Sequence, residues 1–86
     1  RPLERPSPEI PLRIRKQGLT GRVVLNLLIG SDGRVSQTKT LESQPPGVFD
    51  EIATEAVRRW RFSPALYRGE PVPVWGRQTV EFGGQG

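Results

Sequence analysis

Apolar and polar positions follow different rhythms along the 86-residue chain, and each rhythm predicts an element. Over Gly21–Ile29, Val23, Leu25, Leu27 and Ile29 occupy one parity, with Arg22, Val24, Asn26 and Leu28 on the other. Strict alternation predicts a strand, and its half-apolar second face argues for a central strand or one covered partly on both sides. Gly30, Ser31, Asp32 and Gly33 follow as a hairpin turn, with the Asp-Gly pair supplying the positive-φ position. Residues 34–41 return as a second strand, rich in threonine and poor in apolar residues, so one side is expected to be wet.

The period then changes. Phe49, Ile52, Ala53, Ala56, Val57 and Trp60 recur at helical spacing, the apolar stripe of a helix lying on a sheet or another helix. Asp50 and Glu51 open it, and Arg58, Arg59 and Arg61 crowd its last turn, each set opposing the helix dipole. Pro64 is the expected stop. Residues 72–82 form a third strand in which Val72, Val74, Val80 and Phe82 share a parity that Gly76 and Gln78 interrupt. Pro73 cannot fill an internal ladder position and marks this strand as an edge. A short helix over 12–17, begun at Pro11 and stopped at Gly18, precedes all of these.

The expected fold is α+β: a small antiparallel or mixed three-stranded sheet in spatial order 2-1-3, with two helices on one face. The first eleven residues alternate proline with charge, which favours stiff, extended backbone. Residues 1–8 are therefore read as the end of a proline-rich linker, 9–82 as the domain, and 83–86 as a flexible glycine tail. A chain that begins at Arg1 suggests a piece of something longer.

Composition narrows the chemistry. The chain has no histidine and no cysteine, so it lacks the commonest general base, the commonest zinc ligand and any thiol nucleophile. An enzyme, a metal site and a bound cofactor are not expected. Glu51 and Glu55 lie one helical turn apart but have no further ligands beside them. Net charge is +4, carried largely by arginine, which suits carboxylate or phosphate recognition. A basic nucleic-acid binder is one alternative, but the few aromatics form no stacking row on neighbouring strands, so nucleic acid is not the expected partner.

Several strings, in this order and spacing, resemble the TonB C-terminal domain family: Gly21-Arg-Val-Val-Leu, Asp32-Gly-Arg-Val, the long run from Phe49 to Pro64 ending Arg-Arg-Trp-Arg-Phe-Ser-Pro, and Gly69-Glu-Pro-Val-Pro-Val-Trp. The resemblance covers nearly everything from Pro8 to Phe82. It implies a periplasmic domain, held to the inner membrane by an N-terminal helix absent from this chain and working with the ExbB–ExbD motor through that missing part. The domain would grip the TonB box of outer-membrane receptors by β-strand addition to its last strand, driving uptake of siderophores, haem or similar ligands. An envelope scaffold of the same fold is the alternative, and strand-exchanged dimers are known in the family.

Carried over by position, the resemblance implies that Val74, Trp75, Arg77, Gln78, Thr79, Val80 and Glu81 meet the partner along the last strand. Ile10-Pro11 stands where relatives have Tyr-Pro, and Arg13 falls on an arginine that pairs with a carboxylate of the receptor plug. Ser7, Pro8 and Glu9 occupy the stretch that touches the box, with Arg5 on a further basic position. Gly76 and Gln78 replace residues that are usually β-branched, which implies a weakened or bulged strand there.

Overall fold

The structure is a computed structural model and describes residues 2–4 and 8–83. In chain order its elements are β1 (Pro2–Glu4), α1 (Leu12–Lys16), β2 (Gly21–Ile29), β3 (Val35–Gln44), α2 (Asp50–Arg58), β4 (Arg61–Phe62), β5 (Ala65–Tyr67), β6 (Glu70–Val72) and β7 (Val74–Phe82). The main sheet has the order β3-β2-β7, antiparallel throughout, which is the expected 2-1-3 arrangement.

Alternation in β2 works as its sequence requires. Val23, Leu25, Leu27 and Ile29 are buried, while Val24, Asn26 and Leu28 on the other face are half-buried. The turn into β3 closes through Gly33 N–H to the Gly30 carbonyl at 2.9 Å and Gly30 N–H to the Arg34 carbonyl at 2.8 Å. Asp32 Oδ1 accepts the Arg34 N–H at 3.0 Å, the local bond that makes aspartate a turn residue. Gly33 has φ +83°, and a Cβ there would run into the Phe62 carbonyl. β3 slips register at two bulges, beside Val24/Leu25 and Leu28/Ile29, whereas β7 pairs with β2 without interruption from Gly21↔Phe82 to Ile29↔Val74. The weakening expected at Gly76 and Gln78 is absent: the bulges are on the other side of β2.

Both helices cover one face. Ile14 of α1 and Ala53 and Val57 of α2 share a single core with the inward residues of β2, Phe49, Trp60, Phe62, Val80 and Phe82. Ile14 is the buried residue of α1, and Leu12 points to solvent, in keeping with their poor helical spacing. Pro11 lies just before the helix as its cap residue, its carbonyl accepting the Ile14 and Arg15 N–H groups.

Helix α2 is shorter than its stripe predicts. It ends at Arg58, with Arg59 as cap, and Trp60 and Arg61 lie outside it. Arg59 N–H bonds back to Ala56 and Trp60 N–H to Val57, tightening the last turn. Phe62 N–H then donates to the Gly33 carbonyl at 2.8 Å, and Arg61 pairs with Arg34. Tertiary hydrogen bonds to the β2–β3 turn thus draw the chain out of the helix before Pro64 can stop it.

Three more elements depart from the sequence reading. β1 pairs antiparallel with β4, so Pro2–Glu4, expected in the linker, takes part in the fold. Residues 65–72 form a hairpin, β5 with β6, across Arg68 (φ +54°) and Gly69 (φ +82°), the two positive-φ positions of a two-residue loop. Val72 belongs to that hairpin; Pro73 separates it from β7, which begins at Val74.

Candidate functional site

Strand β7 is hydrogen-bonded to β2 along one side, and among the described residues no strand lies along the other. In an antiparallel edge, every second residue turns its N–H and C=O away from the sheet. The rail is nine residues long, and its side chains alternate between two surroundings. Val74, Gly76, Gln78, Val80 and Phe82 pair with the inward residues of β2; Trp75, Arg77, Thr79 and Glu81 pair with Leu28, Asn26, Val24 and Arg22 on the helix-free face.

Burial grades along this strand. Val80 (6 % exposed) and Phe82 (4 %) belong to the core, so Val80 can offer a partner its backbone but little side chain. Toward the start, Val74 is 40 % and Trp75 46 % exposed, while Gly76 and Gln78 are half-buried. The third strand is therefore anchored at its C-terminal end and open at its N-terminal end.

The helix-free face is built of cross-strand rows. Lys39, Asn26 and Arg77 form one row, and Gln37, Leu28 and Trp75 the next. Arg22 donates to Glu42 Oε2 at 2.9 Å, and this hydrogen bond, then the charge of Glu42 and that of Glu81, hold its guanidinium even more firmly charged than usual. Among the described residues neither Lys39 nor Arg77 has a carboxylate partner. Positive charge is consequently left unneutralised in the middle of this face.

The N-terminal group of expected contact residues lies elsewhere. Ile10 is half-buried against the core, Pro8 is half-buried, and Glu9 and Arg13 are exposed. Glu9 and Pro11 line a shallow groove whose other residues, Glu51, Ile52, Glu55 and Arg59, come from α2 and its cap rather than from β7. Arg5 and Ser7 lie outside the described residues, as does the end of the expected glycine tail, residues 84–86.

Two features of the exposed surface escaped the sequence reading. Leu28 sits directly opposite Trp75, a pairing that strand register alone determines. Leu66 and Tyr67, exposed on β5, form the apolar part of the small hairpin, with Arg68 stacked 5.3 Å over the Tyr67 ring. The Arg68-Gly69 dipeptide between Leu66-Tyr67 and Pro71-Val72 was the available signal. Among the described residues no three potential metal ligands converge, and no helix is long and apolar enough to cross a membrane.

Comparison with known proteins agrees with this architecture. The family described as Gram-negative bacterial TonB protein C-terminal matches residues 6–83. Protein TonB of Pseudomonas aeruginosa is 36 % identical over 72 residues, 84 % of this chain and 21 % of that protein. The chain thus spans about a fifth of that relative's length. The solution structure of the Pseudomonas aeruginosa TonB C-terminal domain superposes with a TM-score of 0.79 at 33 % identity, covering 95 % of this chain and 83 % of that one. The TonB2 structure from Vibrio anguillarum gives 0.69 at 29 % identity, covering 95 % and 78 %. Matched across most of its length in sequence and in fold, the chain belongs to the TonB C-terminal domain family.

Proposed function

We propose that this domain is the receptor-gripping end of a TonB-type energy transducer, taking up a short N-terminal segment of an outer-membrane receptor as an added strand beside β7. The carrying observation is the free side of β7: nine residues paired with β2 on one flank and with no strand on the other among the described residues. Strand addition satisfies those outward N–H and C=O groups, so the backbone supplies affinity and alternate side chains supply selectivity. Pro8, Glu9, Ile10 and Arg13 form a second contact region, with Arg13 meeting an acidic group on the receptor plug.

In this reading, residues preceding Arg1 carry the chain to an inner-membrane anchor and the ExbB–ExbD motor, and the domain works in the periplasm. Force applied through the grip admits siderophore, haem or a similar ligand. The domain itself performs no chemistry. Nucleic acid is disfavoured because Phe49, Trp60, Phe62 and Phe82 are buried in the core and cannot stack on bases.

The test is a titration of isotopically labelled domain with a peptide copying a receptor N-terminus. Amide shifts are expected in Val74–Phe82 and near residues 8–13. Shifts confined to residues 58–61, or none at saturating peptide, would exclude strand addition at β7.

A further inference from the structure

The edge of β7 carries a local selectivity device in addition to its backbone groups. At Gly76 the inward row of the strand has no side chain, between half-exposed Val74 and half-buried Gln78. A Cβ built on Gly76 meets one described atom within 4 Å, Ile29 Cδ1, at an ordinary 3.8 Å. The position is therefore uncrowded at the Cβ, and its nearest contact is an aliphatic side chain of the central strand. On the opposite face the flanking residues are of different chemistry: Trp75, paired with Leu28, and Arg77, which has no carboxylate partner among the described residues.

Resting on the strand-addition reading above, we infer that Gly76 is a notch for a bulky apolar side chain of the incoming peptide, with Trp75 and Arg77 selecting an apolar and an acidic residue on either side of it. The geometry follows from pairing. Side chains directly opposite on neighbouring strands stand about 4.5–5.5 Å apart at Cβ. A residue set opposite glycine finds that distance empty and can extend across it to Ile29. Its two sequence neighbours necessarily point to the other face, one beside Trp75 and the other beside Arg77. The ligand class is thus a tripeptide core, apolar–bulky apolar–acidic, read in whichever direction the added strand runs.

Three features favour a peptide of this chemistry over any other cover for the edge. Gly76 lies within an unbroken nine-pair ladder, so the missing side chain is no bulge. Arg77 supplies an unneutralised positive charge one residue from the gap. The outward backbone groups of the same residues are a template that another extended chain can pair in place of water.

The experiment uses the domain and four heptapeptides with Ser and Thr flanks. Their centres are Leu-Phe-Asp, its reverse Asp-Phe-Leu, and versions of the tighter of these with Ala for Phe or Lys for Asp. The variants are Gly76→Val, whose Cβ finds an ordinary contact with Ile29 and whose side chain suits a strand, and Arg77→Glu. Affinity is read from the amide shifts of Val74–Phe82. Wild type should prefer Phe over Ala by about tenfold, in the range a filled apolar pocket provides, and Gly76→Val should abolish that preference while still binding the Ala peptide. Arg77→Glu should invert the choice between Asp and Lys. Binding at β7 with equal affinity for the Phe and Ala peptides, or a preference that survives Gly76→Val, overturns the notch while leaving the edge in place. Absence of β7 shifts with every peptide, or concentration-dependent pairing of β7 with a second copy instead, overturns both.

Discussion

Phe49 and Phe82 stack face to face, their ring centroids 4.4 Å apart and their planes 12° from parallel. This contact joins the residue that opens α2 to the last residue of β7, so the free edge is secured at one end by the main helix. Gly21 makes room for it: a side chain there would meet the Phe49 ring at 2.9 Å and the Gln44 carbonyl more closely still. Phe82→Ala should cost about 3–5 kcal/mol, as a buried aromatic truncation. That is a large share of the stability available to a domain of this size. Chemical denaturation measures it, with a Phe49→Ala, Phe82→Ala double-mutant cycle expected to show coupling of about 0.5–1.5 kcal/mol. Additive effects would mean that the stacked geometry contributes nothing of its own.

Gly33 and Gly47 both have positive φ, +83° and +79°, yet their surroundings differ. At Gly47 a Cβ meets nothing described within 4 Å, whereas at Gly33 it collides with the Phe62 carbonyl, the backbone of the strand that draws the chain out of α2. Gly47→Ala should therefore cost only the local strain of about 1–2 kcal/mol. Gly33→Ala should cost measurably more and weaken the Phe62–Gly33 hydrogen bond, seen as faster amide exchange at Phe62. Equal denaturation midpoints for the two variants would show that the close approach of β4 is not rigid.

These two relationships explain which parts of the fold were legible in the sequence. The alternation of β2 and the stripe of α2 were readable because each buries one face, and burial imposes a period. The end of α2 was not, because Trp60 continues the helical spacing while the chain leaves the helix toward Phe62, whose N–H donates to the Gly33 carbonyl 29 positions back. β3 runs on to Gln44 through polar residues because β2 offers ladder partners as far as Arg22. A propensity reading of Glu42, Ser43 and Gln44 contains no such information. For the candidate site, the edge was expected from Pro73 as a strand residue, yet Pro73 lies before β7 and it is the sheet order that leaves β7 outermost. The rows that give it character, Leu28 with Trp75 and Asn26 with Arg77, exist only once the register is known.

Arg13 lies on a helix whose one buried residue is Ile14, and it faces solvent without an acidic partner among the described residues. Arg13→Glu should leave stability within about 0.5 kcal/mol of the parent, as exposed substitutions usually do. If Arg13 meets a carboxylate on the receptor plug, the same change replaces attraction with repulsion, and affinity for the intact receptor should fall while affinity for an isolated N-terminal peptide is kept. Calorimetry with both ligands separates the two contacts. Unchanged affinity for the whole receptor would remove Arg13 from the interface.

Trp75 offers the corresponding test on the strand itself. It is the large exposed aromatic of the helix-free face, it lies outside the buried core, and its cross-strand neighbour is Leu28. Trp75→Ala should cost about 1 kcal/mol or less in stability, the worth of a cross-strand pair. A strand added beside β7 would cover the exposed part of the indole, and tryptophan flanked by backbone hydrogen bonds is the kind of residue that dominates small interfaces. Peptide affinity should then fall at least fivefold, with intrinsic fluorescence of the parent domain shifting to the blue on binding. A fivefold loss accompanied by a stability loss of several kcal/mol would instead place Trp75 among the structural residues. Unaltered affinity would mean that the peptide side chain set beside Trp75 gains nothing from the indole, and that the backbone and the inward row carry the binding.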